Sequence, residues 1–529
     1  MKKLLLLVAA ATLAFGQVAA TPQLVLQGKK FTVADIHKVP AKASHALRAK
    51  KVVAPEGTAK PYLFADLNNY DMAVSVSTSE DGSKVFFSNM FPNMFASGDA
   101  WVQGNVSADG TSVTIPMDIA IGELTTNENE TYPVRVAEVL LDGDYITGVR
   151  DVVLVKDGDS YYFDDDAENP TRVITLCVLD EDGSFVGYFD DTQLISYAPY
   201  DGDIELVELP EGAEPAEFIY RFDYGYPVAK LGQVYVDGND VYMNMLACGY
   251  EAWVKGTREG KTVSFKPGQY IGAYDYYLYF SPVITPEGDY SETETADYVL
   301  NYDPETGVYT AYEDDEHDYY VDLVTSSGEL YDAALSFIVE PYVGDKPAVP
   351  SDPYGLEISD LYLSSYGQYL FMYWMDNVDV DGNFINPAKL GYYLYLDGDI
   401  YTCTPEVFTR LEEDMTLIPY GFTDSWDFYE GYCLIGESLF SSLGVQAVYT
   451  VDGVTNYSNV VSVDLEGNVT IDPAPQDIDG MNQVETKQVT RIELYDAEGR
   501  RLQAPQQGVN IIRMTTADGS VKNVKMYKK

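Results

Sequence analysis

Apolar and polar residues alternate with a period of two through most of this chain. Ser112-Val113-Thr114-Ile115 and Thr262-Val263-Ser264-Phe265 show the pattern in its shortest form. That period puts successive side chains on opposite faces of a strand. Tight turns separate the runs. Val234-Tyr235-Val236 and Val241-Tyr242-Met243 flank Asp237-Gly238-Asn239-Asp240, where glycine supplies the positive φ of a hairpin turn. Glu80-Asp81-Gly82-Ser83 before Lys84-Val85-Phe86-Phe87 is the same device. No helical stripe of three turns occurs. The pattern predicts an all-β chain of antiparallel meanders, closed as barrels or stacked as sandwiches.

The pattern also repeats itself. Asn93-Met94-Phe95-Ala96-Ser97-Gly98-Asp99-Ala100-Trp101-Val102-Gln103-Gly104 returns, with one insertion, as Asn244-Met245-Leu246-Ala247-Cys248-Gly249-Tyr250-Glu251-Ala252-Trp253-Val254-Lys255-Gly256. Ile121-Gly122 matches Ile271-Gly272, Val152–Gly158 matches Tyr298–Asp303, and Tyr161-Tyr162-Phe163 matches Val308-Tyr309. A period of about 150 residues, with its indels in turns, predicts two tandem copies of one β domain, at 61–208 and 216–342. Trp101 and Trp253 are expected in the two cores.

Acidic, proline-bearing stretches at 209–215, 343–353 and 472–480 lack an apolar stripe and read as linkers. Between the last two, Tyr369–Trp374, Gly391–Gly398, Val445–Thr450 and Tyr457–Val463 resemble the strands of a fibronectin type III domain, placed at 354–466. Thr404 and Pro405 predict a short helix inside it. At the C-terminus, Tyr495-Asp496-Ala497-Glu498-Gly499-Arg500 and Gly508-Val509-Asn510-Ile511-Ile512-Arg513 are similar to motifs of the C-terminal sorting domains of exported Bacteroidota proteins (Por-type, type IX). The resemblance covers 478–529 and implies a small β-sandwich and secretion machinery as a partner.

Residues 1–20 read as a secretory signal: Lys2 and Lys3, an apolar run from Leu4 to Phe15, then Val18-Ala19-Ala20. A basic leader follows at 21–60. The run is too short to span a bilayer, and no membrane span is expected. The chain carries 84 Asp and Glu against 33 Lys and Arg, a net charge of −51. A field of that sign repels nucleic acid and anionic lipid. The four cysteines, Cys177, Cys248, Cys403 and Cys433, are too few for a disulfide scaffold, and Cys403 with Cys433 is the one pair placed inside a single domain.

Candidate chemistry is sparse. The three histidines are His37, His45 and His317, and they build no zinc motif or nucleophile–base set. Asn377-Val378-Asp379-Val380-Asp381-Gly382-Asn383 matches the first half of a calcium loop, but Ala388 stands where the bidentate Glu belongs. A long turn explains the same residues. Tyr274, Tyr276 and Tyr277 are candidate glycan contacts. No catalytic residue, metal ligand or cofactor is assigned. The expectation is a secreted or cell-surface, non-enzymatic binding protein for a glycan or surface protein. The alternatives are a carbohydrate hydrolase with paired carboxylates in one repeat, and a lipocalin-like carrier of an apolar ligand.

Overall fold

The computed structural model describes residues 29–30, 55–66, 69–91, 101–125, 131–142, 145–163, 171–179, 185–192, 195–359, 369–405, 411, 413–422, 428–429, 432–435, 440–474, 489–496, 501–502, 508–516 and 521–528. The signal segment, most of the leader with His37 and His45, the helix expected after Pro405 and the Ala497–Arg500 motif lie outside these. The described residues are strands, turns and one 3₁₀ turn at Pro387–Lys389. The chain divides into two compact units, with the main boundary in sequence between Tyr342 and Val343.

The first unit holds both copies. Copy one runs through β1 (Lys29–Lys30), β2 (Ala59–Asp66), β3 (Met72–Thr78), β4 (Lys84–Ser88), β5 (Trp101–Val106), β6 (Ser112–Ile115), β7 (Ala120–Thr125), β8 (Thr131–Asp142), β9 (Tyr145–Arg150), β10 (Val152–Asp157), β11 (Ser160–Phe163), β12 (Arg172–Leu179), β13 (Phe185–Thr192) and β14 (Ile195–Pro199). Copy two runs through β15 (Ala216–Asp223), β16 (Pro227–Asp237), β17 (Asp240–Met243), β18 (Val254–Glu259), β19 (Thr262–Phe265), β20 (Gln269–Ala273), β21 (Tyr277–Phe280), β22 (Val283–Pro286), β23 (Glu294–Thr295), β24 (Tyr298–Tyr302), β25 (Tyr309–Ala311), β26 (His317–Thr325) and β27 (Leu330–Pro341).

Strand order shows the duplication directly. In copy one, β2-β3-β4-β5-β6-β10-β11-β14 close into an eight-stranded barrel. In copy two, β15-β16-β17-β18-β19-β24-β25-β27 follow the same path, and the β15–β27 pairing closes it. Each barrel carries a side sheet, ordered β13-β12-β8-β7 in one copy and β27-β26-β21-β20 in the other. Even an irregularity is shared. The register slips between Ala120 and Gly122, and between Tyr270 and Gly272. One difference is informative: β27 runs unbroken from side sheet to barrel, a path that β13 and β14 divide between them.

The barrels are packed solid. Phe64, Phe87, Tyr161 and Tyr197 fill the first, with the Phe87 ring centroid 4.8 Å from that of Tyr197 and 5.0 Å from that of Tyr161. Phe222, Tyr298 and Phe337 take this role in the second, with Phe222 stacked 4.9 Å from Phe337. The tryptophans are not core residues. Val102 and Val254 are the buried partners, and Trp101 and Trp253 are only half-buried. Period two explains the reversal, since a strand that turns these valines inward must turn the adjacent indoles outward.

The glycines that end the repeated motif have a steric cause. A Cβ at Gly104 would lie 2.3 Å from Val113 Cγ1, and one at Gly256 2.8 Å from the Phe265 ring. Each glycine clears space for the residue that fills the barrel beside it. Gly256→Ala should therefore destabilise the barrel by about 1–3 kcal/mol, the range for overpacking a filled core. A urea midpoint equal to that of the parent protein would refute this.

The second unit contains a two-sheet sandwich. A sheet ordered Tyr354–Ser359, Tyr369–Trp374, Tyr432–Ile435, Phe428–Tyr429 shares one core with a sheet running Asp399–Ile400, Leu390–Leu396, Ser442–Val451, Val460–Asp464, Val469–Asp472. Tyr373 and Tyr392 join their hydroxyls within that core at 2.8 Å. Cys403 and Cys433 are buried there as free thiols, and burial pushes the Cys403 thiol up to about 12. The chain ends in a four-stranded antiparallel sheet ordered Arg501–Leu502, Val489–Asp496, Gly508–Thr516, Val521–Lys528.

Candidate functional site

Two of the three tyrosines expected to meet a glycan are structural. Tyr277 is buried where β2 and β3 of the first barrel meet the side sheet of copy two, 4% exposed. Its hydroxyl donates to Val74 O at 2.9 Å and accepts from Tyr62 N at 3.2 Å, and so bonds to both β2 and β3. Its ring stacks on Tyr200 at 4.6 Å, and Tyr200 and Tyr279 share a hydroxyl–hydroxyl bond of 2.7 Å. Tyr276 packs against the cores of both copies and bridges to Met72. Tyr274 alone keeps substantial exposure, at 39%. A run of tyrosines on a turn looks like a platform in sequence, and no local signal separates it from a joint between domains.

The calcium-like segment folds as a turn closed on itself. The Asp379 carboxylate accepts from the backbone N–H of Asp381 and Asn383 and from the Asn383 amide. Val378 bridges Phe384 across the loop. Among the described residues no cluster of three or more His, Cys, Asp or Glu has the disposition to hold a metal ion.

A recess lies in copy two, where β27 leaves the side sheet for the barrel. On one side of β27, β26 pairs through Leu335 and β25 through Ile338 and Val339, so the two strands fork. The fork encloses about 270 Å³, lined by Glu287, Tyr312, Glu313, Asp314, Asp315, His317, Asp318, Tyr319, Leu335 and Ser336 among others. Ser336 sits at φ 57°, a left-handed value where β27 kinks between its two pairings. Such backbone is strained for a residue with a Cβ.

Asp314 organises the rim. It accepts from the backbone N–H of Glu316 at 2.8 Å and of His317 at 2.7 Å, and from the Tyr319 hydroxyl at 2.6 Å. These bonds, the Tyr319 hydroxyl foremost, hold its carboxyl down at about 2. Tyr319 is pushed up to about 12 by burial and by its bond to Asp314. His317 Nδ1 lies 3.1 Å from Asp314 Oδ1. Tyr312 and Tyr319 meet edge-to-face at 5.3 Å. Opposite, the Gly288 N–H donates to Asp318 Oδ2 at 2.8 Å.

Sequence spacing did not bring Ser336, His317 and Asp314 together, and the fold places them around one recess. They do not make a hydrolytic triad. Among the described residues no hydrogen bond joins Ser336 to His317. The surrounding carboxylates would also oppose the negative charge that develops on an acyl oxygen, whereas catalysis needs donors there. What this lining suits is positive charge, held between acidic groups with tyrosine rings as walls.

Paired carboxylates were the other expectation for chemistry. Asp322 and Asp332 are both pushed up to about 6, chiefly by burial. Asp322 pairs with Ala333 and Leu323 with Asp332, so successive pairs place the two carboxylates on opposite faces of the ribbon. They do not converge on one substrate. Copy one buries its own acid, Glu138, against Arg150 Nη2 at 2.6 Å and Arg172 Nη1 at 3.5 Å. By the shared register, Pro282 takes that place in copy two.

Compared with models of protein families and with curated proteins, the chain matches none.

Proposed function

We propose that this is an exported, non-enzymatic binding protein, secreted or held at the cell surface. In this reading it recognises a positively charged group on a protein or glycan through the acidic recess of copy two. The observation that carries the proposal is the lining: five carboxylates and two tyrosine rings around one opening, with Asp314 held ionised. The signal-like start, the net charge of −51 and the resemblance of 478–529 to sorting domains support the exported address. Secretion machinery is then a partner of the C-terminal sheet, and the sandwich of 354–466 serves as a fibronectin-like spacer. The carrier reading has less support because both barrel interiors are occupied by side chains.

Titration calorimetry against an oligolysine peptide and an oligosaccharide of amino sugars, with a neutral oligosaccharide as control, tests this. The cationic ligands should bind, more weakly as salt rises. Joint replacement of Asp315 and Asp318 by asparagine should loosen binding about tenfold, as expected for two exposed ion pairs. Binding that is unchanged in the double variant, or confined to the neutral sugar, would remove the recess from the account.

A further inference from the structure

The two copies differ at one strand edge. In copy one, β13 is the outer strand of the side sheet, and two residues of the basic leader pair along its edge: Lys29 with Gly187 and Lys30 with Tyr188, in parallel. The equivalent edge in copy two is the first half of β27. Register fixes the correspondence, because Cys177 pairs with Tyr188 as Val324 pairs with Leu330, and both pairs stand at the same distance from the shared bulge. Phe189-Asp190 in one copy answers Tyr331-Asp332 in the other. Among the described residues, Leu330–Ala333 has strand partners on the β26 side only. Tyr188 packs into the side-sheet core with Val139 and Cys177, whereas Leu330 at the matching place is 50% exposed.

We propose that the Leu330–Ala333 edge takes an extended strand in parallel, supplied by the basic leader of a second copy of this chain. The leader is the segment this fold already shows in that role. It presents paired lysines to an edge bearing Glu329 and Asp332, and its charge is opposite to that of the body. An unpaired edge is a template for strand addition, with backbone bonds giving affinity and side chains giving choice. A leader that leaves β13 of its own chain for β27 of another exchanges one pairing for a like one, so concentration governs the balance.

Amide hydrogen exchange on the full chain tests this, with a synthetic peptide of residues 24–36 added in excess. Amides of Leu330 and Tyr331 should exchange about tenfold more slowly, the factor supplied by one net hydrogen bond, whereas Ala333, whose N–H already donates to Asp332 Oδ1 at 3.0 Å, should change less. Those of β20 should not change, and a peptide with both lysines replaced by glutamate should give no protection. Protection confined to Gly187 and Tyr188, or none at all, overturns the proposal. A full chain that sediments as a monomer at every concentration overturns the second copy as the source of the strand.

Discussion

Tyr277→Ala is expected to lower the stability of the double barrel by about 3–5 kcal/mol, the range for deleting a buried aromatic ring. Three losses coincide in that substitution. The ring leaves a gap among Ala73, Tyr270 and Leu63, where the copies meet. Tyr200 loses the face it stacks on, 4.6 Å away. The backbone of Tyr62 and Val74 loses a shared hydroxyl in a place that water does not readily refill. Tyr277→Phe isolates the last term and should cost about 1–3 kcal/mol, the penalty for stranding buried polar groups. Calorimetry of the full chain reads both. The alanine variant should also draw the unfolding of the two copies apart, since what then joins them is the Asp275–Ala73 backbone bond, the Tyr276–Met72 and Tyr270–Leu206 bridges and the bonds of the Tyr279 hydroxyl to Tyr200 and Asp203. One unshifted transition in Tyr277→Ala would show that the copies are joined elsewhere.

The legible part of this fold was whatever depends on neighbours in sequence. Period two and Asp-Gly turns mark Ser112–Ile115 and Thr262–Phe265 as strands, and both form. The matched motifs give the duplication, and strand order bears it out down to the bulge at Gly122 and Gly272. What stayed illegible depends on which strands meet. Whether the meanders close could not be read, because closure rests on the β14–β2 and β27–β15 pairings between distant segments. The indoles were placed in the core by bulk and hydrophobicity, yet the inward phase of Val102 and Val254 decides their side. The recess escaped notice for a similar reason. Glu313, Asp314 and Asp315 lie in one loop, but Asp318 sits on β26, Glu287 follows β22 and Ser336 comes from the middle of β27, and His317 alone reads as a turn residue.

Asp322 should make this protein less stable as pH rises from about 4 to about 6. The carboxyl is 4% exposed, Tyr290 donates its hydroxyl to Oδ2, and Oδ1 has no hydrogen-bond partner. One donor does not offset the burial of a full charge, so the folded-state pKa rises from 3.8 to about 6. The folded protein thus holds this proton more tightly than the unfolded chain does. Below about pH 4 both states are protonated and nothing is lost. Through the window the unfolded chain ionises first, and above about pH 6 the difference levels off at about 3 kcal/mol. Asp332, raised in the same direction, adds to the slope. Copy one supplies the control. Thr175 stands at the matching register position, buried, with its hydroxyl donating to Ala137 O at 3.4 Å. Asp322→Thr should therefore flatten the stability profile between pH 4 and 6 and leave the variant more stable than the parent at pH 7. The two should be nearly equal at pH 4. Urea denaturation across that range decides it. A variant that parallels the parent at every pH would mean that Asp322 keeps its charge in the fold, held by a group that its unpartnered oxygen does not reveal.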